Sequence, residues 1–328
     1  MKCMNVAQED DGVRLDRWFK RYFPEFSFTQ IAKLVRKGSI RVEGKKVNIS
    51  TRLETKEEIS FPISLPKYPN KRIETYDRRQ DIVHSPKYKS LAKSIKDWVI
   101  YKDGSIIAIN KPAGIAVQGG VSVSLSIDDL LDALKFEYDK RPKLVHRLDK
   151  ATSGVLLLGR TLPSTIAMGQ AFKDKRIRKK YMAIWCGIPK NKSGTITFPL
   201  YKPSAGYDKE YMQHDEAQGR EAMTSYKVIA HNDQLSLVEL TLLTGRTHQI
   251  RAHSAMIGHP VLGDKKYAEY YEIQKEILTK QVSINFMHLH AYQVELTLDN
   301  KPITIVAPLP RYFQDTMRKY NLMTSECK

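Results

Sequence analysis

The strongest constraint on the fold is the run Val155-Leu156-Leu157-Leu158, closed by Gly159 and preceded without a break by His146-Arg147-Leu148-Asp149-Lys150-Ala151-Thr152-Ser153-Gly154. A short apolar run ending at glycine reads as a buried strand, and the charged, Ser/Thr/Gly-containing stretch before it reads as a loop. A side chain on such a loop is exposed by the loop and fixed by the strand behind it, a setting that working residues favour. Asp149 is therefore the first candidate for a working carboxylate. The tripeptide Arg-Leu-Asp carries no information by itself, because it recurs at Arg14-Leu15-Asp16, where an amphipathic helix accounts for it.

The chain has 328 residues and is 41% hydrophobic, enough for two domains or one large domain with an appendage. Its 54 Lys and Arg against 36 Asp and Glu leave a net charge of +18, the balance expected of a partner for a polyanion, with an anionic membrane surface as the other possibility. No apolar run approaches the roughly 20 residues of a spanning helix. The stretch from Met1 to Val6 lacks an apolar core before Glu9-Asp10-Asp11, so a cytoplasmic protein is expected. Cys3, Cys186 and Cys327 form no C-x-x-C pair, which points to neither a disulfide framework nor a cysteine zinc site. His248, His253 and His259, and likewise His288 and His290, lack neighbouring cysteines or an H-E-x-x-H pattern, so no metal is expected. Neither a G-x-x-x-x-G-K-[ST] loop nor a G-x-G-x-x-G fingerprint occurs, and no nucleotide cofactor is expected.

Four segments are expected. Residues 1–61 form a small domain: Leu15, Trp18, Phe19, Tyr22 and Phe23 share one helical face that Pro24 closes. A second helix, capped by Ser27 or Thr29, carries Ile31, Leu34 and Val35 inward and stops at Gly38. Lys33, Arg36 and Lys37 project from its other side, and a hairpin turning at Glu43-Gly44 adds Arg41, Lys45 and Lys46 to the same basic surface. Residues 62–97, rich in Lys, Arg, Pro and Ser, read as a basic linker whose Lys71-Arg72 and Arg78-Arg79 pairs can track a phosphate backbone. Residues 98–310 form the main domain and 311–328 a C-terminal tail. In the main domain, strands at 98–101 and 106–109, a helix over 126–138 and a helix capped by Ser164 precede β-type segments at 181–186, 195–200, 223–229, 235–243, 291–298 and 303–306. Many strands with few helices imply an α+β fold with a mixed, mainly antiparallel sheet.

Three motifs in that domain, the Asp149 loop, Arg178-Lys179-Lys180-Tyr181, and Gly245-Arg246-Thr247-His248-Gln249-Ile250-Arg251-Ala252-His253, resemble in combination the RluA-like family of pseudouridine synthases, from about Ile100 to Pro310. Residues 1–61 are similar to the alpha-L RNA-binding motif through Leu15-Asp16-Arg17-Trp18, Leu34-Val35-Arg36-Lys37-Gly38 and Ile40-Arg41-Val42-Glu43-Gly44-Lys45. Phe28 departs from that motif, which often has a basic residue there.

The first resemblance implies a pseudouridine synthase fold in which Asp149 acts on a uridine whose base is detached, turned and rejoined to the ribose through carbon. Attack on C1′, attack on C6 and removal of the 2′ proton all remain open as its first act, and each needs an ionised carboxylate. Arg246 matches the arginine that pairs with the aspartate, since an adjacent cation favours the charged form and offsets its desolvation. Tyr181 matches a tyrosine that lies against the base and is a candidate for removing the C5 proton, with stacking worth roughly 1 to 3 kcal/mol. Arg147 matches an arginine that fills the gap left by an extruded base. His248 and Arg251 are expected to organise the loop or hold phosphate, and Lys111 to contact the RNA backbone.

The run at Val155 together with Leu289-His290-Ala291 and Ala307-Pro308 looks closest to the C-type large-subunit branch of the family. The resemblance thus implies a monomer that acts on large-subunit ribosomal RNA, binds no membrane and needs no cofactor. Transfer RNA as substrate, or a non-catalytic ribosome-assembly factor, are the alternatives.

Overall fold

The computed structural model of the chain describes residues 1–62, 85–119, 125–203, 211–267 and 285–323. Two compact units divide it, Met1–Arg78 and Arg79–Lys328. None of the described helices is long and apolar enough to cross a membrane.

The first unit comprises β1 (Lys2–Asn5), α1 (Leu15–Tyr22), α2 (Phe28–Lys37), β2 (Arg41–Val42), β3 (Lys45–Lys46) and β4 (Glu58–Phe61). Helix α1 buries Leu15, Trp18 and Phe19 on one face. Helix α2 begins at a capping box, in which Ser27 accepts from the Gln30 N–H while the Gln30 side chain accepts from the Ser27 N–H, and it ends at Gly38 with φ 73°. Positive φ at both Glu43 and Gly44 gives the tight hairpin whose twist matches its strands. The sheet order is β1-β4-β2-β3. Its outer pair, β1 and β4, has no counterpart in the sequence reading, because each strand is four residues long and offers little periodicity. Lys33, Arg36 and Lys37 are exposed. Arg41 is exposed too but partly committed: its guanidinium donates to the carbonyls of Gly38 and Gly44, tying the helix end to the hairpin turn.

In the second unit the order is α3 (Pro86–Ser94), β5 (Val99–Lys102), β6 (Ile106–Lys111), α4 (Ile127–Leu130), β7 (Lys143–Leu144), β8 (Ser153–Gly159), α5 (Leu162–Lys173) and β9 (Arg178–Cys186). Then follow β10 (Ser193–Ile196), β11 (Leu200–Tyr201), β12 (Gln213–His214), β13 (Thr224–His231), β14 (Leu235–Leu242), α6 (Gln249–Met256), β15 (Leu289–Leu298), β16 (Lys301–Val306) and α7 (Arg311–Lys319). The main sheet runs β10-β13-β14-β9-β15-β8-β6-β5, with β16 on β15 and β7 on β8. Among the described strands of this sheet only β8 and β15 pair in parallel, so it is mixed and mainly antiparallel.

Strand β8 is continuously apolar because both its faces are covered. Leu156 and Leu158 join Ile107 and Ile109 of β6 in one core, while Val155 and Leu157 join Ile106 and Ala108 in the other. Burying each of these larger aliphatic side chains contributes about 2 kcal/mol. At its start β8 meets β15 through His290 opposite Ser153 and Ala291 opposite Gly154. His290 donates through Nε2 to the Ala307 carbonyl at 3.1 Å, so its Nδ1 accepts from the Ser153 hydroxyl at 2.9 Å.

Several boundaries differ from expectation. Within 62–97, helix α3 is capped by Ser85 and packs Tyr88 and Leu91 against the core, so residues 86–94 are folded rather than linker; the Lys71-Arg72 and Arg78-Arg79 pairs lie outside the described residues. The 311–328 tail is instead α7 over most of its described length, with Phe313 and Met317 fully buried one turn apart. Thr161 rather than Ser164 caps α5: its Oγ1 accepts from the Ser164 N–H at 3.2 Å. The expected helix over 126–138 shrinks to α4 and a 3-10 turn, Leu131–Leu134, and Phe136 with φ 49° turns the chain away. The strand over 195–200 splits into β10 and β11 at Pro199, which cannot donate to a ladder.

Gly154 has φ 109°, and a Cβ there would lie 2.2 Å from the Ala291 carbonyl oxygen. Gly154→Ala therefore combines backbone strain with a clash against backbone, and is expected to cost about 3 kcal/mol or more. Urea unfolding monitored on the second unit would show the lowered midpoint.

Candidate active site

The Asp149 loop leaves the sheet after β7 and rejoins it at β8, and two side chains pin it in between. His146 occupies the place of a ladder carbonyl: its Nε2 accepts the Leu157 N–H at 2.8 Å, and its ring stacks on Phe172 at 4.6 Å. Burial first, then the Lys179 charge, push this imidazole down to about 3, which keeps it neutral and Nε2 free to accept. Lys111 is the second pin. Its ammonium is fully buried and donates to the carbonyls of Pro112 at 2.9 Å, Ile115 at 3.0 Å and Lys150 at 3.4 Å. Burial pushes it down to about 7, opposed by the Asp149 charge. The contact to an RNA backbone expected of Lys111 is thus ruled out by its burial; it holds the loop from beneath.

Asp149 projects from this loop half-buried. Its Oδ2 accepts from Arg251 Nη1 at 3.3 Å and lies 3.7 Å from His248 Nε2, while its Oδ1 has no partner among the described residues. The arginine expected here, Arg246, is directed elsewhere: its Nε donates to the Glu221 carbonyl at 3.0 Å. Arg246 sits in the turn before α6, whereas Arg251 lies within α6 on the side facing the core, so helical geometry selects Arg251. Arg251 is accordingly not a phosphate contact. Burial works against its charge, but the hydrogen bonds of Asp264 and the charges of Asp264 and Asp149 outweigh it and raise its pKa. Asp264 is itself fully buried and takes Arg251 in a bidentate grip, at 2.7 Å from Nε and 2.8 Å from Nη2.

The sequence reading missed Asp264; the available signal was a lone carboxylate in the apolar stretch Pro260-Val261-Leu262-Gly263. Tyr267 was missed as well. Its hydroxyl accepts the Met212 N–H at 2.8 Å and lies 3.1 Å from His248 Nδ1; with that nitrogen accepting, the Nε2 hydrogen of His248 points toward Asp149. Burial, resisted by the Asp149 charge, pushes His248 down to about 4, and the ring is neutral. A left-handed backbone at His248, φ 52°, turns the ring this way at the start of α6.

These groups open on a cleft of about 990 Å³. Of the residues picked out from sequence, Arg147, Asp149, Tyr181, Arg246, His248 and Arg251 all line it. Tyr181 stands on β9 with its phenol raised above the usual range, by burial and then by the Asp149 charge, so the hydroxyl keeps its proton. Arg147 is exposed at the mouth, as are Lys173, Lys175 and Arg178. Lys33, Arg36, Lys37 and Arg41 belong to the first unit.

Three further histidines of the expected clusters are bound up in the structure. His253 bonds Thr224 and the Phe198 carbonyl, His288 bonds Thr316, and His259 bonds the Cys186 carbonyl. Among the described residues no three His, Cys, Asp or Glu side chains are grouped to hold a metal.

A carboxylate with one oxygen tied to a guanidinium and the other free, in a cleft walled by a tyrosine and rimmed by cations, suits a polyanionic ligand. The comparisons with known proteins agree. The family described as RNA pseudouridylate synthase matches residues 105–256. The ribosomal large subunit pseudouridine synthase C of Rickettsia prowazekii (strain Madrid E) is 36% identical over 304 residues, covering 92% of this chain and 95% of that protein. The protein of the same name from Vibrio vulnificus (strain CMCP6) is 28% identical, covering 94% and 93%. Among solved structures, human RNA Pseudouridylate Synthase Domain Containing 4 superposes with a TM-score of 0.61 at 28% identity, covering 72% of this chain and 97% of its own. The chain belongs to the RNA pseudouridylate synthase family.

Replacing Arg251 by Met should lower the single-turnover rate of pseudouridine formation by at least about 100-fold, because the Asp149 charge is left unpaired and displaced. Arg246→Met should cost less than about tenfold in the same assay. A second expectation concerns acid. His288 and His290 are each pushed down to about 4 by burial, against 6.5 for a free imidazole. The unfolded chain therefore binds protons that the folded chain does not. Stability is complete above pH 6.5 and is lost as pH falls toward 4, by up to about 3 kcal/mol per histidine. Urea midpoints measured across that window should fall, and His290→Asn should flatten the decline.

Proposed function

We propose that this chain converts uridine to pseudouridine in large-subunit ribosomal RNA, with Asp149 as the carboxylate that acts on the target nucleotide. The observation that carries the reading is the state of Asp149: one oxygen bonded by the buried Arg251, the other unpartnered among the described residues and facing the cleft beside Tyr181. The reaction breaks the N1–C1′ bond, turns the base and forms a C5–C1′ bond; the C5 proton leaves and N1 gains one. It is balanced in electrons and consumes no water, so it needs neither cofactor nor metal.

In this reading Arg251 holds the Asp149 charge while the free Oδ1 meets the nucleotide. Tyr181 lies against the base, and because its phenol rests protonated, its ring is the larger contribution in the free enzyme and its hydroxyl serves a proton in transit. A uridine in a helix must leave the stack to enter the cleft, and exposed Arg147 at the mouth fills the space it vacates. The exposed cations Lys33, Arg36 and Lys37 of the first unit, together with its alpha-L resemblance, support a second RNA contact there, with Arg41 chiefly holding the hairpin. The large-subunit target is supported by the relatives, which carry that target in their names over nearly the full length of this chain. In this reading the chain works as a monomer in the cytoplasm.

Pseudouridine mapping of ribosomal and transfer RNA from cells carrying Asp149→Asn tests the proposal. One or more large-subunit sites are expected to revert to uridine. An unchanged map at every site would refute the assignment of Asp149, and losses confined to transfer RNA would refute the ribosomal target.

A further inference from the structure

Lys179 and Tyr181 stand two residues apart on β9, hence on one face and about 6.6 Å from each other along the strand, and both line the cleft. The adjacent cations on β9 have carboxylate partners: Arg178 meets Glu295 at 3.7 Å and Lys180 meets Glu239 at 3.4 Å. Lys179 has no such partner among the described residues. Its ammonium lies 5.9 Å from the centre of the Phe172 ring, and across from it is Gly245, where an added Cβ would come to 3.6 Å from Nζ. Burial lowers its pKa below the usual lysine value, so its charge is held in the free protein without compensation. A cation drawn partly out of water recovers that cost when an anion joins it. The absent side chain at Gly245 leaves space for one.

We propose that Lys179 is the anion subsite of the cleft: its ammonium binds a non-bridging oxygen of a phosphodiester flanking the target uridine, while Tyr181 lies against the base. The inference rests on the uridine-isomerising reading of the cleft. Gripping base and phosphate at two points along one rigid strand fixes the ribose between them, and with it C1′ relative to Asp149. The exposed Lys173, Lys175 and Arg178 at the rim add attraction without this registry, because solvated cations on flexible stems hold no fixed geometry.

The test is a cycle in which the charge is removed from either partner. The RNA is a short synthetic fragment carrying the uridine that mapping assigns to this protein, made with its ordinary phosphodiesters or with one neutral methylphosphonate on the 5′ or 3′ side of that uridine. Wild type, Lys179→Met, Lys179→Arg and the exposed control Lys190→Met are compared by equilibrium binding across a range of salt. Lys179→Met is expected to weaken binding roughly tenfold and to reduce the salt slope by about 0.7, one phosphate contact on a single strand. Lys179→Arg should recover most of the affinity and Lys190→Met should match wild type. One of the two methylphosphonates should weaken wild type as much as Lys179→Met does, and should weaken Lys179→Met no further. Additive losses for both methylphosphonates, or an unchanged salt slope, would overturn the subsite. The methylphosphonate measurement on wild type stands even if Lys179→Met folds poorly. If mapping assigns no uridine at all, it is the isomerase reading that falls, a result distinct from additivity in the binding cycle.

Discussion

One guanidinium shared between two carboxylates organises the site. Arg251 lies between Asp264, fully buried and bidentate, and Asp149, half-exposed and held by a single bond. The asymmetry matters. Asp264 engages two N–H groups of the arginine's fork and fixes its plane, so Arg251 turns Nη1 to Asp149 and leaves that carboxylate an unengaged oxygen. Removing Arg251 strands the buried Asp264 charge, and removing Asp264 leaves Arg251 with a single bond; breaking a buried pair in this way typically costs about 3 to 5 kcal/mol. The same charges reach His248 and, through it, Tyr267, so the loop before β8, helix α6 and the segment after it behave as one electrostatic unit.

Around that unit the protein uses polar side chains for construction. His146 stands in for a strand carbonyl, and Lys111 gathers the carbonyls of Pro112, Ile115 and Lys150 around one ammonium. Gly154 lets β8 and β15 approach until their backbones nearly touch. These three positions bracket Asp149 in sequence and in space, which is why a loop can carry a carboxylate with the precision of a strand.

Much of this was legible from the residues. The apolar runs of β6 and β8, the amphipathic faces of α1 and α2, the Gly38 stop and the Glu43-Gly44 hairpin follow from periodicity and turn chemistry. The family resemblance brought Asp149, Tyr181 and the Arg246–Arg251 string to one cleft. Helix α6 was not legible, because it turns Gln249, Arg251, His253 and Ser254 inward and so lacks an apolar stripe. That gap led directly to the choice of Arg246 over Arg251: without the helix, nothing in the string says which arginine faces the core. Helix α7 carries Phe313 and Met317 at helical spacing and was readable, yet a short terminal segment resembles a tail when its packing partner is unknown.

The parallel seam of β8 and β15 joins residues 137 positions apart, and Asp149 meets Arg251 across 102. Contacts of such long separation form after local hairpins such as β5–β6 and β13–β14, since chain closure must precede them. On a ribosome, the carboxylate therefore has no partner until more than a hundred further residues have emerged. The basic N-terminal unit needs no residue beyond its own span and can complete its core first. Synthesis thus yields a chain whose cationic surface is in place well before its reactive centre exists.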